Sequence, residues 1–169
     1  MRPSGLGGAH RRLSVYRAHR AYVPAMEPYP HHYRVEATVE ADGPVTITAH
    51  GLPPLVSAPP VPFGGPGDRW SPEELLVAAV ADCFLLTFRA IARASRLTWR
   101  RLACRAEGVL DRAGGVTRFT QIHLHARLVV PSGEDLDRAR RLLEKAERGC
   151  LVSRSLAFDP ALHADVVAE

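Results

Sequence analysis

Residues 71–88 read SPEELLVAAVADCFLLTF. Ser71 opens a capping box, in which its hydroxyl and the second glutamate satisfy each other's backbone N–H groups at the start of a helix. After the opening Ser-Pro-Glu-Glu, every side chain is apolar or small except Asp82 and Thr87. The stretch therefore predicts a helix over residues 73–94 that is apolar nearly all round, and such a helix has to be buried.

Two of the three cysteines occupy positions that suit reactive thiols. Cys83 lies in the middle of the apolar helix. Cys150 directly follows Gly149, which is typical of the end of a second, amphipathic helix. We therefore expect a sheltered thiol at Cys83 and a mobile one at Cys150, which suits a nucleophile protected from water and a resolving thiol that travels to meet it.

The third cysteine, Cys104, alternates with Leu102 and Ala106 on one face of a predicted strand, so we interpret it as a small core residue. The N-terminal part of the sequence lacks the apolar segment of a secretory signal. Free thiols and the absence of that signal indicate a reducing compartment, and we expect a cytoplasmic protein.

The positive charge is concentrated at the N-terminus. The chain has 169 residues and a net charge of +4, yet residues 1–25 contribute five arginines and no acid, which leaves 17 basic and 18 acidic residues elsewhere, or −1. A neutral body does not predict a nucleic-acid interface. We expect residues 1–30 to be a basic, disordered extension and residues 31–169 to be a single domain. A targeting segment, or a true start at Met26, are the alternatives for the extension.

The rest of the chain predicts an α+β fold with a mainly antiparallel sheet. Pro-rich and Gly-rich residues 52–68 are expected to be irregular, and Ser132 to Gly149 are expected to form the second helix. Strands are predicted over residues 33–40, 45–50, 97–111, 116–130 and 162–167, which gives the order β-β-α-β-β-α-β.

Three short sequence motifs point to a family. They are Ser-Pro-Glu-Glu-Leu-Leu at residues 71–76, Ala-Asp-Cys-Phe at residues 81–84 and Gly-Cys-Leu-Val-Ser-Arg-Ser-Leu at residues 149–156. Together they resemble the OsmC/Ohr family of thiol peroxidases, and the resemblance extends over roughly residues 33–167. It implies an OsmC-like fold with a long buried central helix and an intertwined homodimer.

The burial of the first helix supports the same dimer. One modest sheet covers only one side of a helix that is apolar nearly all round, so something else must cover the rest. A second copy of the chain, related by a two-fold axis, is the interpretation we favour. The alternative is that the second helix alone provides the cover.

The resemblance implies that Cys83 attacks the peroxide and that Cys150 resolves the product. Burial among apolar side chains would raise the pKa of Cys83, so a cation is expected to offset it. The family places an Arg before a Phe in the loop that precedes the helix, whereas Pro62 precedes Phe63 in this chain. Arg69 is therefore the first candidate for the cation. Arg34 and Arg154 are the other two.

Glu73 matches the carboxylate that holds this Arg in the family. It precedes Cys83 by ten residues, or ~15 Å of helix, too far for direct contact. We therefore expect Glu73 to serve the thiol of the partner subunit, which gives two composite sites. An acid in the first turn of a helix is also stabilised by the helix dipole without any catalytic role.

Two residues depart from the family pattern. Leu151 stands where the family has Pro after the second cysteine, and Asp82 stands where it has a small residue before the first. We expect Asp82 to pair with an Arg or a backbone group.

The predicted function is the reduction of organic hydroperoxides. The apolar side chains of Leu76, Phe84 and Leu86 favour an alkyl or lipid substrate. The family resemblance implies a dithiol or a lipoyl protein as reductant. We expect no cofactor and no membrane association. The alternative is a non-enzymatic dimer that binds an apolar ligand between its subunits and carries redox-sensing cysteines.

A metal site is not expected. His123 and His125 share one face of a strand, but the sequence offers no third ligand at a diagnostic spacing.

Overall fold

The computed structural model describes residues 27–169, of which Val35–Glu169 form one compact unit. The elements in chain order are β1 (Glu36–Thr38), β2 (Val45–Thr48), β3 (Leu55–Ser57), α1 (Pro72–Ala94), β4 (Arg101–Ala113), β5 (Val116–Val130), α2 (Leu136–Gly149) and β6 (Ala161–Ala168), with 3₁₀ turns at Val61–Phe63 and Ser153–Ser155. The predicted α+β class is confirmed. The extension predicted over residues 1–30 falls largely outside the described residues, so that boundary stays a prediction.

The strands form two three-stranded sheets, β1-β2-β3 and β4-β5-β6. Neighbouring strands are antiparallel except β5 and β6, which run parallel. A parallel pair requires a crossover connection, and α2 provides it. The predicted mainly antiparallel sheet is thus confirmed, with one parallel ladder at its C-terminal strand.

The prediction that residues 52–68 are irregular is wrong in one part, because β3 lies within them. This strand pairs with β2 through Val45 and Ser57. Prolines stand on both sides of β3 and none lies inside it, so each of its residues keeps the N–H group that a ladder needs.

Helix α1 begins with the predicted capping box. The Glu74 N–H donates to the Ser71 hydroxyl at 3.1 Å, and the Ser71 N–H donates to the Glu74 carboxylate at 2.9 Å. Ser71 is fully buried, so its own backbone has no access to water there. A side-chain cap of this kind stabilises a helix by about 1 kcal/mol.

One face of α1 supplies the centre of the core. Val80, Phe84, Phe88 and Ala92 recur every fourth position, and each is fully buried. They pack with α2 and with the inner face of the β4-β5-β6 sheet, where the fully buried residues are Ile122, Leu124, Ala126, Leu128 and Val130. Truncating a buried Phe to Ala typically costs about 3–5 kcal/mol, so this stripe carries much of the stability.

The remaining surface of α1 stays largely uncovered within one chain. Among residues 27–169, α1 is the one helix whose length and composition would allow it to cross a membrane, a test that the core helix of a soluble protein also passes. Only 22% of its apolar 18-residue window is buried, and Leu86 is 45% exposed. The chain itself therefore covers one side of the helix.

The residue that caps the start of helix α2 lies three positions later than predicted. Asp135, and not Ser132, caps it, because its carboxylate accepts the Arg138 N–H at 2.9 Å. The helix ends at Gly149 as predicted. Its buried face, formed by Ala139, Leu143 and Ala146, holds the C-terminal end of α2 against α1.

Candidate active site

The packing of α1 on α2 brings Cys83 and Cys150 together. Cys83 lies midway along α1, and Cys150 is the residue that ends α2. The expected exposures are reversed, since Cys150 is completely buried and Cys83 only partly. The reason is helical position: Cys83 lies beside the buried stripe of α1, whereas the side chain of Cys150 points beneath α1.

Cys150 is held in place, contrary to the mobile thiol that the sequence predicted. Its thiol donates to the Val80 carbonyl of α1 at 3.9 Å, and its sulfur accepts the Ser153 N–H at 3.5 Å. Its backbone N–H donates to the Glu147 carbonyl at 3.1 Å, and its carbonyl accepts the Arg154 N–H at 3.1 Å. Cys150 therefore lies beside Cys83 without any movement of the chain that follows α2.

The surroundings of Cys83 favour its thiolate. Burial raises the pKa of Cys83, but hydrogen bonds from the Cys150 thiol, the Val152 N–H, the Thr87 hydroxyl and the Leu151 N–H together bring the pKa below its ordinary value of 9.0. The Thr87 oxygen lies 4.0 Å from the Cys83 sulfur. Cys83 can thus carry the negative charge that a thiol nucleophile needs.

The pKa of Cys150 moves in the opposite direction. Burial raises it most, and the hydrogen bond to Cys83 raises it further, while hydrogen bonds from Ser153 offset part of the increase. Cys83 consequently loses its proton first and Cys150 keeps its own. The single proton of Cys150 can turn from the Val80 carbonyl to the Cys83 sulfur once that sulfur is ionised.

The expected cation does not take part within one chain. Arg69 is 41% exposed and pairs with Asp68 at 3.3 Å, and no arginine is among the groups that shift the pKa of Cys83. Arg154 lies exposed in the second 3₁₀ turn. The assignment of Arg69 to the site stays a prediction that requires a second copy of the chain or a different partner for its side chain.

Sequence reasoning missed the backbone donors at Leu151 and Val152. The sequence carried little signal for them, because every residue type except Pro offers the same backbone N–H. Leu151 was noted only as a departure from Pro, yet Pro has no N–H to give. The departure therefore adds a donor to the site.

Glu73 lies in the first turn of α1, on the side of a large cavity. Its Oε2 is buried and has no hydrogen-bond partner among residues 27–169. The structure does not bring Glu73 to the Cys83 of the same chain, as the helical rise requires. Its expected role toward a second copy stays a prediction. Asp82 is exposed and forms no ion pair within the described part of the chain.

The cavity beside Glu73 has a volume of about 970 Å³ and lies between α1 and β4. Ala78 and Ala81 line it from the helix, Cys104 lines it from the sheet, and Trp70 stands at its rim. Cys83 and Cys150 do not line it. Burial raises the pKa of Cys104 to about 11, so this thiol stays protonated at neutral pH.

Gly108 lies on β4 where this strand passes close to α1 at the edge of the cavity. A Cβ at this position would lie 2.6 Å from the Val77 side chain and 2.8 Å from the Phe119 ring. A larger residue at this position would require Val77 or Phe119 to shift, so glycine allows β4 to lie this close to α1.

In the present arrangement, residues 27–169 place no three His, Cys, Asp or Glu side chains around a common point where a metal ion could sit. The candidate active site consists of the Cys83 and Cys150 thiols, the Thr87 hydroxyl and the backbone N–H groups of Leu151 and Val152.

Comparisons with known proteins agree with this fold. Residues 65–163, more than half of the chain, match the family model of the OsmC-like proteins. The uncharacterized protein YmaD of Bacillus subtilis is 32% identical over 115 residues, which cover 66% of this chain and 75% of YmaD.

Solved structures show the same architecture. An OsmC-like protein of Vibrio cholerae superposes with a TM-score of 0.74 at 18% identity, covering 80% of this chain and 99% of that one. An organic hydroperoxide resistance protein of Legionella pneumophila gives 0.66 at 24% identity over 83% and 100% of the two chains. One from Elizabethkingia anophelis gives 0.67 at 21% over 85% and 100%. The family match, the YmaD similarity and the shared fold together establish that the chain belongs to the OsmC-like protein family.

Proposed function

We propose that the protein is a thiol-dependent peroxidase that reduces organic hydroperoxides. The observation that carries the proposal is the contact between Cys83, whose pKa is lowered, and Cys150, whose pKa is raised. Two solved relatives of the same fold are organic hydroperoxide resistance proteins, which supports this choice of substrate.

The reaction proceeds in two steps on this chain. The Cys83 thiolate attacks the outer oxygen of the hydroperoxide, the O–O bond breaks, and the alkoxide takes a proton and leaves as an alcohol. Cys83 is oxidised to a sulfenic acid. The Cys150 sulfur then attacks the sulfenic sulfur, forming the disulfide and releasing water made from the sulfenic hydroxyl and the Cys150 proton.

A dithiol closes the cycle by thiol–disulfide exchange, and we take a small dithiol or a lipoyl protein as the reductant. Such a cycle needs a reducing compartment, so we place the protein in the cytoplasm. Among the residues expected to bind the hydrocarbon tail, Phe84 is fully buried and cannot contact substrate, whereas Leu86 is 45% exposed and can. An apolar substrate surface favours alkyl hydroperoxides over hydrogen peroxide.

We further propose that the protein works as a homodimer with composite sites. The uncovered apolar side of α1 supports association, since a surface of this kind usually packs against a partner. Glu73 has an unpaired buried oxygen that an arginine could satisfy. In the dimer, Glu73 of one copy positions an arginine, Arg69 by our assignment, beside the Cys83 of the other.

Turnover of cumene hydroperoxide with a dithiol tests the proposed reaction. We expect Cys83→Ser to abolish turnover, and Cys150→Ser to stop the cycle after one equivalent of peroxide while the sulfenic acid accumulates. Cys104→Ser is the matched control and should keep wild-type turnover. Undiminished turnover by Cys83→Ser would refute the proposal, and a lipoylated carrier protein in place of the small dithiol tests the reductant.

The second candidate is a non-enzymatic protein that binds an apolar ligand. The cavity of about 970 Å³ favours it, because a volume of this size suits a small molecule and neither proposed catalytic thiol lines it. Under this hypothesis the wild-type protein would turn over no hydroperoxide, yet would bind an apolar fluorescent probe. Replacing Ala78 by Phe should then displace the probe from the cavity. Hydroperoxide turnover that survives Ala78→Phe would separate the cavity from the reaction.

A further inference from the structure

Three histidines meet on the outer face of the β4-β5-β6 sheet, opposite the face that carries the core. His123 and His125 are two residues apart on β5, so their side chains leave the same face. His163 lies on β6 and pairs directly with His125. The parallel ladder thus supplies the third imidazole that the sequence alone did not place beside the other two.

The three rings are close to one another. The His125 and His163 ring centroids are 4.6 Å apart, and those of His123 and His163 are 5.6 Å apart. The Nδ1 atom of His123 lies 3.3 Å from the Nε2 atom of His163. Two nitrogens bound to one tetrahedral zinc ion, with bonds of about 2.0–2.1 Å, are themselves about 3.3 Å apart. This pair of nitrogens shares a hydrogen bond, and its length is also the spacing that a metal ion bound to both atoms would require.

The protonation of His123 suits a ligand. Its Nε2 lies 3.1 Å from Oε1 of Gln121, which can only accept a hydrogen bond, so Nε2 carries the proton. In the neutral ring, Nδ1 then holds the lone pair that faces His163. Metal-binding histidines usually donate their second N–H to an oxygen in this way, which fixes the ring and its tautomer.

Neighbouring charges do not oppose a cation there. On β4, Arg105 pairs in register with His125, and on β5 Arg127 follows two residues later. Arg105 lies 3.5 Å from the Glu107 carboxylate, and Arg127 lies 2.8 Å from the Asp165 carboxylate. Each arginine is thus neutralised locally.

We propose that His123, His125 and His163 bind a divalent transition-metal ion with a preference for imidazole, zinc in the first instance. Imidazole nitrogens suit zinc, copper and nickel, and three of them leave a fourth tetrahedral position for solvent. In the arrangement described above the rings are stacked, so His125 has to rotate about its side-chain bonds to complete the set. The site lies on the outer face of the sheet, and its occupancy does not depend on the proposed peroxidase reaction.

Titration of the full-length, tag-free, reduced protein with zinc chloride in a calorimeter tests the proposal. We expect one zinc ion per chain, and at least about tenfold weaker binding in His163→Gln and in His125→Gln. Gln121→Leu should weaken binding by roughly tenfold, because it removes the acceptor that orients His123. His50→Gln, which alters a histidine in the turn that follows β2, is the matched control and should bind zinc as the wild type does.

Cobalt distinguishes this site from the cysteines. Cobalt held by imidazoles lacks the strong sulfur-to-metal absorption that cysteine ligands produce, so its spectrum should contain only the weaker visible bands. The proposal fails if the protein takes up no zinc at micromolar concentration. It also fails if His163→Gln binds as tightly as the wild type, or if the cobalt spectrum shows sulfur ligation that the histidine substitutions leave unchanged.

Discussion

The thiols of Cys83 and Cys150 are neighbours where α1 packs on α2, and each shifts the pKa of the other in the opposite direction. The contact lowers the pKa of Cys83 and raises that of Cys150. One proton therefore stays on Cys150 while Cys83 ionises. This division of roles is set by geometry inside a single chain, before any arginine or second subunit is considered.

Cys83 should react with iodoacetamide faster than Cys104. The pKa of Cys83 is below 9.0 and that of Cys104 is about 11, and only thiolates react, so Cys83 should be alkylated before Cys104 at neutral pH. As the pH rises, the Cys83 rate should level off below pH 9.0 and the Cys104 rate near pH 11. Peptide mapping of a time course measures this. Faster labelling of Cys104 than of Cys83 would contradict the assignment.

Leu151→Pro should weaken the thiolate. Proline removes the N–H that donates to Cys83, and the extended backbone of Cys150 at φ −69° and ψ 117° is one that a residue before proline readily adopts. Loss of about 1 kcal/mol of hydrogen bonding should slow Cys83 alkylation at neutral pH by about fivefold.

Leu151→Ala is the matched control for this change. The Leu151 side chain is 69% exposed, and alanine keeps the backbone N–H, so the alkylation profile should stay as in the wild type. Equal slowing in both variants would show that the side chain, and not the N–H, supports the thiolate.

Cys150 should act on Cys83 through a donated proton. Cys150→Ala removes that donor and should raise the pKa of Cys83, whereas Cys150→Ser keeps an O–H in its place and should raise it less. Neither variant can form the disulfide. A pH titration of Cys83 alkylation separates the two variants, and identical curves for both would exclude the hydrogen bond as a cause of the lowered pKa.

Mixed dimers should reveal the composite site. Cys83→Ser and Glu73→Gln subunits are each expected to be inactive or slow alone. Combined equally at random, half of the dimers contain both variants, and each such dimer has one intact site, so activity should recover to about a quarter of the wild-type value. Light scattering measures whether the mixed subunits form dimers. No recovery in proven mixed dimers would place Glu73 and Cys83 in separate functions.

Cys104 should limit stability at alkaline pH. Its pKa is raised in the folded protein from 9.0 to about 11, so its contribution to stability is fully present below pH 9 and is lost as the pH rises toward 11. Cys104→Ala removes this dependence. Urea unfolding at a series of pH values should show that the free energy of unfolding falls less steeply between pH 9 and pH 11 in the variant than in the wild type. A steeper fall in the variant would contradict the prediction.

Local patterns in the sequence predicted most of the fold. The capping box, the apolar stripe of α1, the strand Val116–Val130 and the end of α2 at Gly149 all depend on neighbours in the chain, and each is confirmed. The β3 strand was missed because its pairing with β2, not its own composition, defines it. Likewise, only the β5–β6 register shows that His163 lies beside His125.

The candidate site was predicted less completely, for a physical reason. Residue identity suggested the pair of Cys83 and Cys150, but burial depends on how α1 packs on α2, and the more buried thiol is Cys150 and not Cys83. Backbone donors leave no trace in residue type except where Pro is absent, as at Leu151. The expectation of a cation followed from burial of Cys83 among apolar side chains and from the family resemblance, and it did not include the hydrogen-bond donors that also lower the pKa of Cys83.

The fixed position of Cys150 has a consequence for what the thiol pair can communicate. The two sulfurs are neighbours and Cys150 is already held against α1, so a disulfide with its bond of about 2.05 Å can form while both helices keep their packing. Oxidation should then leave the outline of the molecule unchanged. Without a change of shape, the redox state of this pair would be detected only by molecules that react with the two sulfurs directly, such as the hydroperoxide and the dithiol reductant.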